Sequence, residues 1–407
     1  KGGDYGPYYQ SQRLDIYKKY CDELLEKGMA YYAFETPEEL EEMRKLQQIE
    51  GRQTMYDRRA RDFTPEEVKE KLDSGIPHVI RLKVPLGEEI IFEDLIRGNI
   101  KIETNIIDDQ VLLKADGFPT YHLANVIDDH LMAITHIIRG EEWVTSVPKH
   151  IILYRAFGWE VPKMAHLPLL LNSDKTKLSK RQGDVAVEDY MKKGYLNEAL
   201  INFNAFLGWH PGEGIDKEIF SKEELIELFS LERVHSAGAV FNIDKLNWMN
   251  NEYIKNYDLD KLTELAIPFI NEAGYDTSDF ETTKKIVGAV RVYLNKLNEI
   301  GEHVKMFYQD KVSVEDEEFK KEVTSEDSKK IFNYLIPVFK ETDFSQTENI
   351  KNVFSEAQKK LGIKGKKFFQ PLRIAITGQT HGPEFPLTIQ ILGKDKVLAA
   401  ISDWLGE

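Results

Sequence analysis

The sequence predicts an α/β fold: a parallel sheet carrying an α+β insertion, followed by an all-α carboxy-terminal half. Three observations predict it. Two apolar runs, Thr135 to Arg139 and His166 to Leu171, flank a helical stretch from Val147 to Phe157 that stops at Gly158, and strand–helix–strand with apolar strands is the signature of a doubly wound parallel sheet. Between His78 and Lys114 the pattern changes to short alternating runs broken by Gly or Asp. Beyond about Asn197 helical periodicity continues almost to the end, with no strand run.

The elements follow in order. Gly2 to Pro7 is loop, and Gln10 to Lys27 is an amphipathic helix in which Leu14, Ile16, Tyr17, Tyr20, Cys21, Leu24 and Leu25 recur near helical spacing before Gly28. Thr36-Pro37-Glu38-Glu39 and Thr64-Pro65-Glu66-Glu67 both open helices: Thr caps, Pro takes the first position where no N–H is needed, and the acids meet the positive dipole end. Val79 to Val84, Glu89 to Phe92, Asn99 to Glu103 and Val111 to Lys114 are strands, and Tyr121 to Leu131 is a helix. In the second half Ser221 is a cap. Helices are expected at Asp258 to Ala273, Thr282 to Leu297, Asp327 to Phe339, Asn349 to Leu361, Lys366 to Ile376 and Lys394 to Trp404, with Ser313 to Asp327 an acidic connection.

Composition sets limits. A chain of 407 residues exceeds one hydrophobic core, so roughly two to four domains are expected. No stretch approaches the ~18 consecutive apolar residues of a membrane helix. The single cysteine, Cys21, excludes an intramolecular disulfide and disfavours a Cys-based metal site, in keeping with a cytoplasmic protein. A net charge of −15 argues against nucleic acid as a partner only as a whole-chain sum, because phosphate binding is decided by local clusters.

The sharpest local signal is Asn172-Ser173-Asp174-Lys175-Thr176-Lys177-Leu178-Ser179-Lys180-Arg181, a hydroxyl-rich basic stretch directly after an apolar strand. Ligands of open α/β sheets bind beyond the carboxyl ends of strands, where lysines can neutralise a triphosphate in the transition state. The local pattern alone fits a solvated basic loop equally well. Tyr121 and Asn125 stand one helical turn apart, so a phenol and an amide share a face and can bind a small polar ligand without a repelling carboxylate; periodicity alone favours a Tyr packed in the core. Arg139 ends an apolar run and can grip a carboxylate through its two-pronged donors, or pair with Glu141 or Glu142. Asp128-Asp129-His130 and Asp108-Asp109 read as solvated or capping groups rather than metal sites, and His166 and His381 as isolated structural histidines.

Lys177-Leu178-Ser179-Lys180-Arg181 resembles the Lys-Met-Ser-Lys-Ser loop of class I aminoacyl-tRNA synthetases. Gly6-Pro7-Tyr8-Tyr9-Gln10-Ser11-Gln12-Arg13, Ala115 to Asn125 and Arg139-Gly140-Glu141-Glu142-Trp143 resemble, in order and spacing, the glutamyl/glutaminyl branch of that class. The resemblance covers essentially the whole chain and points to a bacterial-type glutamyl-tRNA synthetase with an incomplete Rossmann-type sheet. It implies ATP-dependent ligation of L-glutamate to tRNA(Glu) through a glutamyl-adenylate, with Mg²⁺ travelling with ATP, in a cytoplasmic monomer. By resemblance Tyr121, Asn125 and Arg139 contact glutamate, while Glu142, Leu170, Lys177, Leu178, Ser179, Lys180 and Arg181 serve ATP, with Lys180 and Lys177 catalytic. It also implies remnants of the catalytic domain at 1–27 and 121–172, an acceptor-end insertion at 28–120, a stem-contact fold at 173–250 and an anticodon-binding region at 251–407. In that last region Lys359, Lys360, Lys366, Lys367 and Arg373 form the densest basic run, beside Phe368 and Phe369; a cationic helix end with core phenylalanines fits them as well.

Three departures qualify the resemblance. Arg181 stands where the family has Ser, keeping charge but not a hydroxyl. No His-x-Gly-His string occurs, and the chain starts at Lys1, so the expectation is a chain that begins after that motif and is inactive alone. Tyr31 to Phe34 and the helix after it offer no Cys/His ligands, so zinc is not expected. The alternatives are a glutamyl-queuosine-type enzyme, which ends soon after the basic loop; a glutaminyl-tRNA synthetase, whose carboxy-terminal part is β-barrel; and a non-catalytic tRNA-binding module.

Overall fold

The computed structural model describes residues 3–178 and 186–406. The chain divides into two compact units, the first of Lys1–Leu171, Gly208–Glu213 and Phe229–Val240, the second of Asn172–Leu207, Gly214–Leu228 and Phe241–Glu407.

In the first unit α1 (Leu14–Glu26) buries Tyr17, Cys21 and Leu24, one stripe at helical spacing. β1 (Ala30–Ala33) follows. α2 (Pro37–Ile49) and α3 (Pro65–Asp73) both open with full capping boxes: Thr36 and Thr64 accept from the amides of Glu39 and Glu67, whose carboxylates accept from the Thr amides. β2 (Val79–Leu82), β3 (Glu89–Asp94), β4 (Gly98–Glu103), β5 (Val111–Leu113), α4 (Tyr121–Leu131), β6 (His136–Gly140), α5 (Val147–Phe157), β7 (Lys163–Leu167), β8 (Leu170–Leu171) and β9 (Ala239–Val240) complete it.

The strands between 78 and 114 do not form one sheet. β1, β2 and β5 make an antiparallel three-stranded sheet, whereas β3 and β4 join β7 and β6 in the order β4-β3-β7-β6. β3 and β6 run parallel to β7 while β4 is antiparallel to β3, so the expected parallel sheet is mixed. The expected strand His166 to Leu171 is split, because Pro168 has no N–H to give a ladder; β7 ends at Leu167, and Leu170–Leu171 pairs instead with β9. β9 is itself a short strand where only helices were expected. The apolar Thr135 to Arg139 run is not buried: among the described residues β6 lies at the edge of its sheet, and Ile138 is 51% exposed. The main core of the unit gathers Tyr17, Leu24, Ile80, Ile90, Leu123, Ile127, Leu153 and Tyr154.

The second unit is helical: α6 (Val187–Lys192), α7 (Asn197–Ala205), α8 (Lys222–Leu228), α9 (Ile243–Asn256), α10 (Leu259–Glu272), α11 (Phe280–Val290), α12 (Ile300–Tyr308), α13 (Glu317–Val323), α14 (Glu326–Glu341), α15 (Thr347–Leu361), α16 (Lys366–Thr377), α17 (Phe385–Leu392) and α18 (Lys394–Asp403). Ser221 opens α8 by exchanging hydrogen bonds with Glu224, as its position predicts. Two expectations are corrected. The acidic connection at 313–327 contains α13, whose first amides are met by the Asp316 carboxylate. The helix expected to reach Leu297 stops at Val290. Among the described residues from 243 to 406 there is no strand, which removes the β-barrel alternative.

Candidate active site

The expected glutamate residues come together in the first unit. Tyr121 and Asn125 stand on the first turns of α4, and Arg139 ends the edge strand β6. The Thr120 hydroxyl donates to Val111 O (2.7 Å) instead of capping α4, and so ties the helix start to β5. Arg139 Nη1 donates to the Tyr121 hydroxyl at 3.4 Å, and its guanidinium carbon lies 5.7 Å from the Trp143 ring centre. Tyr121 is 46% exposed with its ring 4.6 Å from that of Trp143, so it is not a core tyrosine. Asn125 Oδ1 is buried without a partner, an acceptor left unsatisfied.

The surroundings of Arg139 were not legible in sequence. The alternative that it pairs with Glu141 or Glu142 is not realised: Glu141 pairs with Arg97 and accepts from Leu169 N at 3.2 Å, and Glu142 is exposed. Among the described residues no carboxylate touches Arg139. Its Nε donates instead to His166 Nε2 (3.2 Å), and its Nη2 to His150 Nδ1 (3.4 Å). His166 Nδ1 donates to Asp94 Oδ2 at 2.5 Å, and His150 Nε2 to His122 Nδ1 at 2.9 Å. His166 and His150 are fully buried.

Each of these rings is neutral for a physical reason. Burial lowers His166, with Asp94 pulling the other way and Arg139 repelling a second cation. Burial and Arg139 lower His150 well below its ordinary value, and His122 is lowered to about 4 by burial, then Lys149 and Arg139. Burial works against the charge of Asp94. Hydrogen bonds from the His166 ring and from the Ile96, His166 and Arg97 amides outweigh it and hold the carboxyl below the usual carboxylate range. The expectation that His166 is isolated is therefore corrected: it bridges Asp94 and Arg139. The three residues lie far apart in sequence, and no local pattern joins them.

The other expected residues fall as follows. Leu170 is in β8 and 37% exposed. Lys177 and Leu178 belong to the second unit, after a turn in which Asp174 accepts from Thr176 and Asn172 N donates to Thr176 O at 2.8 Å, closing the loop. Ser179, Lys180 and Arg181 lie outside the described residues. Lys359 and Lys360 end α15, and Lys366 and Lys367 open α16, all exposed. Arg373 turns inward instead: its guanidinium carbon sits 4.6 Å from the Phe385 ring centre and Nη2 donates to Pro383 O. Phe368 is core and Phe369 packs beside it. Asp128 is held by Arg13 Nε (2.8 Å) and the Tyr17 hydroxyl (2.7 Å), and His130 stacks on Trp159 with ring centres 3.8 Å apart. Asp109 is buried and held by Arg61. Among the described residues no group of three or more His, Cys, Asp or Glu is gathered as for a metal ion.

A mixed-sheet α/β body with a helical region after it in the chain accords with a class I aminoacyl-tRNA synthetase, and the match to a family model over more than half of the chain shows that class. Residues 2–248 match the family of tRNA synthetases class I (E and Q), catalytic domain, and residues 261–405 match an anticodon binding domain. Among curated relatives, the glutamate–tRNA ligase of Clostridioides difficile (strain 630) is 47% identical over 98% of this chain and 82% of its own length; that of Chlorobaculum parvum is 48% identical over the same shares. A crystal structure of a glutamate tRNA ligase from Elizabethkingia meningosepticum in complex with its amino acid superposes with a TM-score of 0.90 at 36% identity, covering 100% of this chain and 85% of that one. The chain belongs to the bacterial-type glutamate–tRNA ligases.

Proposed function

We infer that this chain serves the ATP-dependent ligation of L-glutamate to tRNA(Glu). The observation that carries this reading is a guanidinium held by two neutral imidazoles and a phenol, with no carboxylate among the described residues against it. Arg139 keeps its positive charge uncompensated on the side of Tyr121, and a substrate carboxylate is the natural partner for it. The unsatisfied Asn125 Oδ1 on the same helix supplies an acceptor for an ammonium or hydroxyl donor of the ligand.

In the proposed reaction the glutamate α-carboxylate attacks the α-phosphorus of ATP, releasing pyrophosphate and leaving glutamyl-adenylate. The terminal ribose hydroxyl of tRNA then attacks the acyl carbon, and AMP departs. Tyr121, Asn125 and Arg139 hold the amino acid. Lys180, assisted by Lys177 and the Leu178, Ser179 and Arg181 segment, stabilises charge on the phosphates, and Glu142 and Leu170 contribute to the nucleotide site. Mg²⁺, carried by the ATP phosphates, lowers their repulsion of the nucleophile. Lys359, Lys360, Lys366 and Lys367 are the proposed tRNA-facing cations, and residues 28–120, 173–250 and 251–407 the acceptor, stem and anticodon regions. A cytoplasmic monomer is the working state. No helix of the described residues is long and apolar enough to cross a membrane.

The test is ATP–pyrophosphate exchange, with tRNA present, on the product of the gene that encodes this chain. Exchange driven by glutamate is expected; exchange driven by aspartate or glutamine in its place refutes the substrate. The 407-residue polypeptide assayed beside it is expected to be inert, because no His-x-Gly-His string occurs in it. Exchange by that polypeptide overturns this part.

A further inference from the structure

We propose that His166 and His150 are positioning residues that orient the Arg139 guanidinium for the substrate carboxylate while leaving its charge unspent, His166 acting as an imidazole spacer between Arg139 and the buried Asp94. The proposal rests on the glutamate reading of the site and adds to it two residues that touch neither substrate nor nucleotide.

A guanidinium is planar, and its Nε–H and Nη–H groups leave in fixed directions, so fixing two of its edges fixes the third. His166 Nε2 takes Nε–H and His150 Nδ1 takes one Nη2–H, which sets the Nη1 edge toward Tyr121. These acceptors impose the tautomers. His166 must carry its proton on Nδ1, where Asp94 accepts it, and His150 must carry its proton on Nε2, where His122 accepts it.

The choice of acceptor matters more than its presence. A carboxylate directly against Arg139 would orient it equally well, but would also neutralise it and compete with the incoming carboxylate. An imidazole accepts the same hydrogen bond without a formal charge. The negative charge of Asp94 is kept one ring away and is saturated by four donors: the Ile96 and Arg97 amides at 3.0 Å, the His166 amide at 3.3 Å and the His166 ring at 2.5 Å. Asp94 thus polarises the His166 ring as an acceptor without forming an ion pair with Arg139. Other groups around the guanidinium are the Tyr121 phenol and the Trp143 ring, with Lys149 and Asp129 further out among the charges felt in the cluster.

Three variants and one spectrum test this on the product of the gene that encodes this chain. His166→Ala is expected to raise KM for glutamate by about 10- to 100-fold, the value of a hydrogen bond to a charged group, with KM for ATP changed less than about two-fold. His166→Gln, whose amide oxygen can accept from Nε, recovers most of the loss, and His150→Ala shows the same selectivity with a smaller effect. Equal rises in both KM values, or no rescue by Gln, make His166 merely structural and overturn the proposal. Nitrogen-15 spectra of histidine-labelled wild-type protein are expected to show His166 protonated on Nδ1 alone and His150 on Nε2 alone at pH 7. An imidazolium or the opposite tautomer at either ring overturns it even where the variants fail to fold. Absence of any glutamate dependence in the wild type is a different result, and strikes the function rather than the positioning.

Discussion

The first unit holds two arginine-centred clusters that treat charge in opposite ways. Around Asp109 the carboxylate is buried and closed on all sides: Arg61 grips both oxygens at 2.5 and 2.6 Å, the Tyr31 hydroxyl donates at 2.5 Å, and Arg58 Nε lies 3.5 Å away. Arg81 adds a bond to the Asp109 backbone carbonyl and stacks over Tyr56, its guanidinium carbon 3.8 Å from the ring centre. Around Arg139, among the described residues, an arginine is hydrogen-bonded only to uncharged groups, and its charge is left open. The closed cluster fastens the segment before β5 to Tyr31 and to residues between 56 and 84; the open one is the site proposed for the amino acid.

The largest effect should come from opening the closed cluster. Asp109→Asn leaves Arg61 buried against a neutral group and should cost roughly 3–5 kcal/mol, read as a lower urea midpoint, while glutamate affinity is unchanged where the protein remains folded. The inverse is expected of Arg139→Lys. A single ammonium cannot hold both imidazoles and a carboxylate, so the rate of glutamate-dependent exchange should fall by roughly 2–4 kcal/mol in kcat/KM with the urea midpoint nearly unmoved. A large loss of stability in Arg139→Lys, or of glutamate affinity in Asp109→Asn, breaks the distinction.

Acid stability sharpens it further. Unfolded, His122 takes a proton near pH 6.5, but folded only near pH 4, so the unfolded chain binds more protons between those values and His122 costs stability as pH falls from 6.5 to 4. Asp129 acts in reverse. Burial raises it to about 6 against 3.8, so its folded-state charge is a cost at neutral pH that is relieved as pH falls from 6 to 4. Allowing for partial exposure, each amounts to about 2 kcal/mol. His122→Gln should flatten the fall of melting temperature with acid and Asp129→Asn should steepen it. The smallest effect is Thr64→Ala, which removes one half of a capping box for about 1 kcal/mol and leaves glutamate kinetics untouched.

Sequence was most informative where structure is local. α4 and α5 begin and end where periodicity and the Gly158 stop place them, and Thr36, Thr64 and Ser221 cap as their spacing requires. Which sheet a strand joins is not local: β3 and β4 have the same alternating texture as β1, β2 and β5, yet pair with β7 and with each other. Of the candidate site, Tyr121, Asn125 and Arg139 are singled out by family strings, and the structure brings them together. Asp94, His150 and His166 were not, since nothing in the runs around them distinguishes a positioning histidine from one packed for volume. For the basic loop, legibility ends at Leu178, with Ser179, Lys180 and Arg181 outside the described residues.

The place of β7 between β3 and β6 has a consequence for how the site wears out on heating. His166 rides an interior strand and its own amide is tied to Asp94, whereas Arg139 rides the rim. Peptide hydrogens of the rim should exchange with solvent well before those of the interior. If Arg139 grips the amino acid as proposed, warming this chain loosens the hand before the wrist that aims it, and recognition fades while the body of the unit is still intact.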